Sequence, residues 1–486
     1  MCLQVLSRDV ALSEPELNNK MSGLHSTALL LLRQFLLGPA STALMQLEME
    51  NTLISKLLVY LDRHDTYVQV ALLDTLYAAL KLPILQTPPS LANTHRRTTS
   101  SETIKSSSRL SLTTERSEKE QAVPSRPSVP PQLVECLTKG LISQGSRPIL
   151  DSWIHFLENC LPLYADSLFQ VLIPLVECFC VNIRGVFENL QHTFKLSGTG
   201  SCGDPESVLV LLLNGLEQIL ARAHERLVTE EVKSVTIKSP EQPQGFFGNM
   251  VSGVFASETP RSRNESANRR LTVLLCFKDT VCICYDIWSW DGYGSDGNSQ
   301  DPASLASFNY TSIRLRNRAR RIMEHLFTAE ALECLETLIE TWRKSNARSI
   351  VSPSASVFHL LHALDGSRPK NTIPAVFNAI YSRTNPIALE PIRKSTLTSN
   401  LSDTELVTFL VEYTRSLEDD AMDEIWIDCM TFLRDVLANP FPHRQTLPKL
   451  LEFTAILGDK VDNTIFGEQR RMRRELGVSD WRWYKS

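Results

Sequence analysis

The sequence predicts an all-α protein built from stacked helical hairpins. Apolar residues recur at the three- and four-residue spacing of a helix over most of the chain. Alternating apolar and polar residues are almost absent, and SVTIKS at residues 234–239 is the one weak strand candidate. Hydrophobic residues make up 43% of the chain, and the 19 glycines are outnumbered by 25 prolines. This composition supports a packed core and disfavours a β-rich or collagen-like chain.

The first predicted helical-repeat segment spans residues 1–83. Residues 29–37 are apolar nearly all round and stop at a Gly-Pro pair, which predicts a buried helix. Residues 57–80 contain a leucine-rich helix, a polar turn with Asp62 and Asp65, and a second helix with an apolar face. This hairpin resembles a HEAT repeat, in which an acidic residue in the turn caps the second helix.

Two further helical-repeat segments are predicted at residues 131–226 and 271–479. In the first, apolar residues from Ile149 to Cys160 share one helix face, and residues 167–179 resemble a HEAT helix with an internal proline. In the second, the sequence Ser-Asp-Thr-Glu at 402–405 predicts a capping box at the start of a helix. Since no strict period relates the hairpins, the predicted fold is a degenerate HEAT/TPR-like helical-hairpin solenoid with disordered insertions.

Two linkers and a tail interrupt the predicted helices. Residues 84–130 are of low complexity, because 12 of the 20 residues at 98–117 are Ser or Thr and PSRPSVPP follows. Such a segment cannot bury enough apolar surface to offset the entropy lost on ordering, which predicts disorder. Residues 227–270 form the second predicted linker, and residues 480–486 form an irregular C-terminal tail.

An apolar segment, GFFGNMVSGVFAS at residues 245–257, lies inside the second predicted linker. On a helix its large side chains form one continuous stripe, opposite an uncharged face of Gly, Asn, Ser and Ala. The stripe consists of Phe246, Phe247, Met250, Val251, Val254 and Phe255. Three interpretations are open: docking onto the helical array, insertion into a membrane as a lipid-packing sensor, or binding in a groove of a partner protein.

Two basic clusters lie in predicted helical regions. They comprise Arg314, Arg316, Arg318, Arg320 and Arg321, and, near the C terminus, Arg470, Arg471, Arg473 and Arg474. The apolar residues of the predicted helix that carries the first cluster are Leu315, Ala319, Ile322, Met323 and Leu326. Three interpretations of each cluster are open. It is a solvated helix face, a surface that binds an acidic partner or anionic lipid headgroups, or a surface that contacts RNA or DNA. The net charge of −5 and the isoelectric point near 6.1 argue against a dedicated nucleic-acid binder.

No catalytic, cofactor-binding or metal-ligating pattern stands out. Residues 198–203 satisfy G-x-G-x-x-G, but a helical pattern precedes them where the dinucleotide fingerprint requires a strand. The eleven cysteines include two C-x-C pairs, at 178/180 and 282/284, which would form a metal site only if they met in space. Their scatter is typical of a reduced chain whose cysteines pack as small apolar residues. We therefore predict a non-enzymatic protein without cofactor or metal.

The sequence indicates a soluble chain. The N terminus lacks the basic start and apolar block of a signal peptide. No stretch of about 18 uncharged apolar residues is present, which is what a membrane-spanning helix requires. We expect any contact with a membrane to be peripheral.

Four segments carry a resemblance to a known family. They are GFFGNMVSGVFAS (245–257), NRRLTVLLCFKDTVCICYDIWSW (268–290), RARRIMEHLFTAEALECLETLIETW (318–342) and FGEQRRMRREL (466–476). They resemble the interior of Dopey proteins, which are very large cytosolic proteins of Golgi–endosome trafficking and cell morphogenesis. The resemblance implies a helical-repeat scaffold without enzymatic activity. It also implies two partners, a large HEAT-repeat Golgi protein and a phospholipid-flipping ATPase.

We therefore expect a non-enzymatic scaffold in membrane traffic, cytoplasmic and peripheral on Golgi and endosome membranes, which binds protein partners. The alternative is a nuclear or RNA-associated helical-repeat adaptor that uses the arginine clusters. Since this chain would be a middle piece of a Dopey protein, we expect a fragment or truncated gene product.

Overall fold

The structure is a computed structural model, and within its described residues the chain forms helices and connecting turns without a strand. The described ranges are 1–7, 15–39, 41–85, 129–197, 203–236, 260–290, 302–348, 354–390 and 393–463, together with residues 471, 472, 474, 475 and 477. The predicted all-α helical-repeat fold is confirmed. The apolar stripe at 245–257 lies outside these ranges.

The chain divides into two compact units, Met1–Leu168 and Phe169–Ser486. The helices of unit 1 are α1 (Cys2–Ser7), α2 (Pro15–Leu37), α3 (Met49–Asp62), α4 (Thr66–Leu85), α5 (Pro131–Ile142) and α6 (Leu150–Cys160). Short 3₁₀ segments cover Ser41–Leu47, Gln144–Ile149 and Leu161–Tyr164. The boundary between the units falls inside the segment predicted as residues 131–226.

The predicted hairpin of α3 and α4 is present, and its turn acid has the expected role. The Asp65 carboxylate accepts a hydrogen bond from the Val68 backbone N–H at 3.2 Å. This bond satisfies one of the free N–H groups in the first turn of α4.

A buried glutamine on α4 connects three parts of unit 1. The Gln69 amide nitrogen donates to the carbonyl oxygens of Tyr60, at 3.0 Å, and Gly145, at 3.3 Å. Its amide oxygen accepts from the Trp153 indole N–H at 3.3 Å. Because Gln69 is fully buried, these bonds remove the cost of an unsatisfied polar group in the core.

The packing of α5 on α6 depends on a glycine. A Cβ atom built on Gly140 would lie 2.2 Å from Cζ3 of the Trp153 ring. Trp153 is fully buried, so the ring lies directly against the α5 backbone. The position therefore excludes any residue with a side chain unless the indole moves.

The predicted burial of residues 29–37 is wrong for one face of α2. The helix ends at Leu37, as predicted, and one face is buried through Leu29, Leu32 and Leu36. The other face is exposed, with relative accessibilities of 49%, 45%, 58% and 72% for Leu30, Leu31, Phe35 and Leu37. An evenly apolar sequence shows that a helix has apolar faces but does not show how many of them are covered.

Unit 2 contains nine described helices. They are α7 (Leu168–Ser197), α8 (Gly203–Thr236), α9 (Pro260–Trp288), α10 (Pro302–Arg348), α11 (Ser354–Ala363), α12 (Pro369–Thr384), α13 (Asp403–Ser416), α14 (Met422–Ala438) and α15 (Leu447–Asn463). The predicted capping box opens α13, where Ser402 and Glu405 bond each other's backbone N–H groups. Pro174 lies inside α7, as the resemblance to a HEAT helix indicates.

The second predicted linker, 227–270, is helical at both ends. Helix α8 continues to Thr236, and α9 begins at Pro260. Two ion pairs join the extensions: Arg269 with Glu230 at 2.7 Å and Arg270 with Glu231 at 3.2 Å. Apolar periodicity fades in these polar extensions, so both helices extend beyond the boundaries that the sequence predicts. The first half of the strand candidate at 234–239 is likewise the last turn of α8.

Helix α7 contains a long apolar stretch. Residues Leu168–Phe194 of α7 have a mean hydropathy of 1.5 over an 18-residue window, with 56% of that window buried inside the protein. By length and composition alone this stretch could cross a membrane, and a buried core helix meets the same criteria. The contacts of α7 within unit 2, such as the edge-on packing of Phe187 against Trp290, fit the core helix.

Candidate partner-binding surfaces

The first arginine cluster lies on the N-terminal part of α10, which is amphipathic as predicted. The apolar face is formed by Leu315, Ala319, Ile322, Met323 and Leu326, all buried. The arginines occupy the remaining surface, where the neighbouring helices of unit 2 approach.

Two of these arginines pair with glutamates of α8. Arg314 Nη1 lies 2.6 Å from the carboxylate of Glu206, whose side chain is only 8% exposed. Arg318 pairs with Glu217, and the side chains of both residues are mostly buried. These two charges connect α10 to α8. They belong to the contacts between helices, so a partner that bound them would have to compete with Glu206 and Glu217.

Two further arginines contact other neighbours. The Arg316 guanidinium lies 4.9 Å from the ring centroid of Trp288, which is a cation–π distance. Arg320 donates to the Ala363 carbonyl oxygen at 3.1 Å, at the end of α11. Arg321 is exposed and has no ion pair within the described ranges. The structure therefore assigns four of the five arginines an intramolecular contact, and binding of an anionic partner here stays a prediction.

The second cluster is described only in part. Of Arg470, Arg471, Arg473 and Arg474, the structure describes the second and the fourth. Between and beyond them, Met472 is buried, and the Glu475 carboxylate accepts from the Trp426 indole N–H at 3.0 Å. Arg471 lies 3.4 Å from the same carboxylate. Only the arginines were predicted in this segment; the burial of Met472 and the hydrogen bond that attaches Glu475 to α14 were missed.

The two C-x-C pairs are on α7 and α9. Burial raises the pKa of the Cys178 thiol to about 11 and that of the Cys180 thiol to about 12. Burial likewise raises the pKa of Cys282. No group of three potential ligands close enough to hold a metal ion occurs among the described residues. These three thiols are therefore protonated at neutral pH and pack as small apolar side chains.

A buried carboxylate holds the segment that precedes α13. Glu336 on α10 is 1% exposed and accepts two hydrogen bonds from Arg383, each of 2.9 Å. Arg383 Nε donates in turn to the Leu401 carbonyl oxygen at 2.8 Å. This bidentate pair ties α10, α12 and the chain before α13 together.

A second carboxylate, one helix turn earlier, holds the same segment. Glu333 accepts from the Thr396 backbone N–H at 2.8 Å, from the Thr396 hydroxyl at 2.9 Å and from the Thr398 hydroxyl at 3.1 Å. Leu397, between the two threonines, has a φ of 57°, which is unusual for a branched side chain. Both oxygens of the Glu333 carboxylate thus accept hydrogen bonds that fix the turn at Thr396–Thr398, which points to a structural role.

A groove crosses unit 1 between α2, α4 and α6. It has two connected parts, of about 380 and 460 Å³, which share Arg33, Val70 and Asp74. The first part is largely apolar and is lined by Leu30, Thr66, Tyr67, Ala71, Thr75 and Ile149. The second part is more polar and is lined by Leu73, Tyr77, Asp151, Ser152, His155, Phe156 and Asn159.

The groove offers both apolar surface and accessible charge. Leu30 and Tyr67 are 49% and 69% exposed beside it. Arg33 and Asp74 form an ion pair of 2.9 Å, with side chains 42% and 46% exposed. Exposed pairs of this kind contribute only about 0–1 kcal/mol to stability. A partner with its own charges can therefore pair with Arg33 or Asp74 in place of this ion pair at little cost. Sequence reasoning missed this site because it treated residues 29–37 as core.

Comparisons with known proteins agree with the helical-repeat architecture. Residues 40–221 match a family model described as the DOP1 TPR domain, and residues 409–481 match one described as DOP1 C-terminal. The chain is 52% identical over 458 residues to Protein dop1 of Emericella nidulans, an alignment that covers 93% of this chain and 24% of that protein. It is 29% identical over 358 residues to Protein DOP1 of Saccharomyces cerevisiae, covering 71% of this chain and 20% of that protein.

The chain thus spans about a quarter or less of the length of these curated relatives. The TPR match begins after α2 and ends within α8, and the C-terminal match begins within α13 and extends past α15. The helices of unit 1 that carry most of the groove, α4 and α6, fall inside the TPR match. The resemblance predicted from four sequence segments is confirmed: this chain belongs to the Dop1, or Dopey, family.

Proposed function

We propose that this chain is the helical-repeat part of a non-enzymatic scaffold in Golgi–endosome membrane traffic. The observation that carries the proposal is its family membership, with 52% identity to a Dop1 protein over 93% of the chain. The scaffold is cytoplasmic and attaches peripherally to Golgi and endosome membranes. Its partners are a large HEAT-repeat Golgi protein and a phospholipid-flipping ATPase, as the family resemblance implies.

The groove of unit 1 supports a scaffold that binds protein partners. Exposed apolar side chains together with accessible charges in the lining suit an amphipathic helix, whose apolar face would cover Leu30 and Tyr67. Exposed apolar surface beside a preformed groove is where the energy of such binding is concentrated.

The polar groups of unit 2 support the non-enzymatic part of the proposal. Glu333 and Glu336 have their oxygens engaged by hydroxyls, backbone N–H groups or Arg383. Carboxylates held in this way fix the positions of helices, whereas general acid–base catalysis requires a carboxylate within reach of a substrate.

Location in the cell tests the first part of the proposal. The chain with a fluorescent tag is expressed and compared with markers of Golgi, endosome and nucleus. We expect puncta that overlap Golgi or endosome markers. A nuclear signal would contradict the proposal and favour the arginine-based adaptor for RNA.

Partner capture tests the groove. Leu30→Asp combined with Tyr67→Asp places charge in the apolar part of the groove, while both positions are exposed enough for the fold to persist. The matched control is Leu24→Asp, on the same helix and 50% exposed, but outside the groove lining. Affinity purification followed by mass spectrometry should show loss of the HEAT-repeat partner or the ATPase for the groove variant alone. Equal capture by both variants means that partners bind elsewhere.

A further inference from the structure

Two turns of unit 2 repeat one another in sequence and backbone. Asn-Pro-Ile at 385–387 follows α12, and Asn-Pro-Phe at 439–441 follows α14. The two asparagines have nearly the same dihedrals, φ −148° and ψ 67° in the first and φ −137° and ψ 78° in the second. Each asparagine N–H donates to the carbonyl four residues earlier, at 2.8 and 3.1 Å, and a short 3₁₀ turn follows each. We refer to residues 385–388 and 439–443 as the turn pair.

The turn pair lies at one end of two parallel helices. Phe377 of α12 stacks on Phe432 of α14, with ring centroids 4.1 Å apart and planes 6° from parallel. One turn further along α12, Tyr381 donates to the Asp435 carboxylate at 3.2 Å, and its ring lies 6.4 Å from that of His443. Since the contacts advance along both helices in the same direction, the two C-terminal ends are neighbours.

Each turn projects one large apolar side chain into solvent. Ile387 is 91% exposed and Phe441 is 86% exposed, although His443 in the same turn is 3% exposed. At such exposure a side chain adds almost nothing to the stability of the fold. Single exposed apolar residues are common on protein surfaces, but here neighbouring turns of equal geometry present two of them at one edge. The repetition points to a binding role.

Prolines restrict the backbone beside both tips. Pro386 precedes Ile387, and Phe441 lies between Pro440 and Pro442. Proline fixes its own φ and restricts the residue before it, so Pro442 restricts the backbone of Phe441 itself, whereas Pro386 fixes the residue before Ile387. The backbone at Phe441 therefore loses little further freedom when the tip binds, which lowers the entropic cost of the complex.

We propose that Ile387 and Phe441 insert together into the interfacial region of a lipid bilayer. The inference rests on the proposed peripheral membrane association and gives that association a site. A protein partner needs a shaped pocket for each of the two tips. A bilayer accepts apolar tips that project from turns in any arrangement, provided that the surrounding groups tolerate the headgroup layer.

The charges around the turn pair suit the headgroup layer. Arg444, the residue that follows the second turn, is exposed and makes no ion pair with the described part of the chain. Three acids lie at this edge: Asp435 accepts from Tyr381 at 3.2 Å, Glu390 lies 3.8 Å from Arg393, and Asp403 lies near enough to His443 to act on its pKa. A free guanidinium beside an apolar tip can reach a lipid phosphate while the tip is inserted.

Vesicle flotation of the purified 486-residue chain tests the site. The probe is phosphatidylcholine vesicles, with and without phosphatidylserine. Ile387→Asp combined with Phe441→Asp should lower vesicle binding about tenfold or more, because two apolar anchors become charged. Ile387→Trp combined with Phe441→Trp should strengthen binding, since tryptophan favours the interface. The melting temperature of each variant should match that of the original chain, because both positions are exposed.

The matched control is Ile427→Asp. Ile427 is 77% exposed and also belongs to α14, but it lies eleven residues before the C-terminal end of that helix, Ala438. That separation is about 16 Å along the axis, so the control places the same charge on the same helix away from the turn pair. Its vesicle binding should equal that of the original chain.

Several outcomes would overturn the inference, and they separate it from the proposed function. If the double Asp variant floats as well as the original chain, the membrane is bound elsewhere and peripheral association stands. Phe247→Asp with Val251→Asp then tests the apolar stripe as that other contact. If the original chain does not float at all, the tips are not a membrane site, and location in the cell decides the proposed function separately. If the double variant instead abolishes self-association in analytical ultracentrifugation without lipid, the tips form a protein interface.

Discussion

The two units use different chemistry to hold their helices together. In unit 1 the buried polar contacts are mostly neutral: Gln69 bonds two carbonyls and an indole, and His25 bonds the Tyr60 hydroxyl at 2.6 Å. Among the Asp, Glu, Lys and Arg side chains, Lys56 is the one that is buried among the described residues of unit 1. In unit 2 four glutamates are buried on α8 and α10, namely Glu206, Glu333, Glu336 and Glu340.

The difference has a physical consequence. A neutral buried hydrogen bond contributes about 0.5–1.5 kcal/mol, and losing one partner costs about 1–3 kcal/mol. Removing one member of a buried ion pair costs about 3–5 kcal/mol, because an uncompensated charge stays in the core. Unit 2 is therefore more sensitive than unit 1 to the loss of a single polar partner, and in unit 1 the tight contact of Gly140 with Trp153 tests packing instead. Each prediction below tests one side of this comparison.

The largest expected effect is that of Arg383→Ala in unit 2. The substitution leaves the Glu336 carboxylate, 1% exposed, without its bidentate partner. We expect a loss of about 3–5 kcal/mol in the free energy of unfolding. Hydrogen exchange measured by mass spectrometry should show faster exchange in α10, α12 and the segment before α13, with exchange in unit 1 unchanged.

Arg415→Ala is the matched control for that variant. Arg415 also contacts two carboxylate oxygens, those of Glu412 at 2.7 Å and Glu452 at 2.8 Å, but its side chain is 50% exposed. Water solvates the glutamates after the truncation, so we expect a loss of less than about 1 kcal/mol. Equal losses for the two variants would show that burial of the ion pair does not set its importance here.

The next effect in size is that of Gly140→Ala in unit 1. The new methyl group would overlap the Trp153 ring, whose nearest atom lies 2.2 Å from the built Cβ position. We expect a loss of about 1–3 kcal/mol from overpacking. Gly23→Ala on α2 is the control, since nothing lies within 4 Å of its added Cβ. Because alanine favours a helix over glycine, the control should gain about 0.5–1 kcal/mol. Urea denaturation followed by circular dichroism measures both, and a tolerated Gly140→Ala would mean that the ring moves easily.

Local sequence patterns predicted the parts of the fold that local physics decides. The turn acid Asp65 and the capping box of Ser402 and Glu405 are confirmed because a cap depends on residues three positions apart. The buried face of the first arginine helix is confirmed for the same reason, since helical spacing fixes which side chains share a face.

Patterns over longer distance were not readable. Glu333, Glu336 and Glu340 read as ordinary surface charges, and only the approach of α9, α12 and the segment before α13 makes them buried partners. The exposed face of α2 and the groove beside it were missed because apolar composition does not state which faces are covered. The repeated Asn-Pro-apolar turns carry a short signal that a search for repeats shorter than a hairpin would detect.

The smallest predicted effect compares the buried histidines of the two units. Both ring nitrogens of His25 have partners, the Tyr60 hydroxyl and the Val5 carbonyl oxygen, whereas Nδ1 of His443 is buried without a hydrogen-bond partner among the described residues. Burial lowers the pKa of His443, although the Asp403 carboxylate acts in the opposite direction.

A lowered pKa in the folded state means that the unfolded chain takes up the proton first as the pH falls. Stability contributed by neutral His443 is therefore present above a pH of about 6.5, the usual value for histidine, and is lost as the pH falls below it toward the folded-state pKa. His443→Gln removes this titration, so its melting temperature should fall less between a pH of about 7.5 and about 5.5 than that of the original chain. This difference between the two falls in melting temperature should be smaller than the effect of Arg383→Ala or of Gly140→Ala. Differential scanning calorimetry at both pH values measures it, and an identical fall in both proteins would show that water or a local rearrangement supplies the partner that Nδ1 lacks.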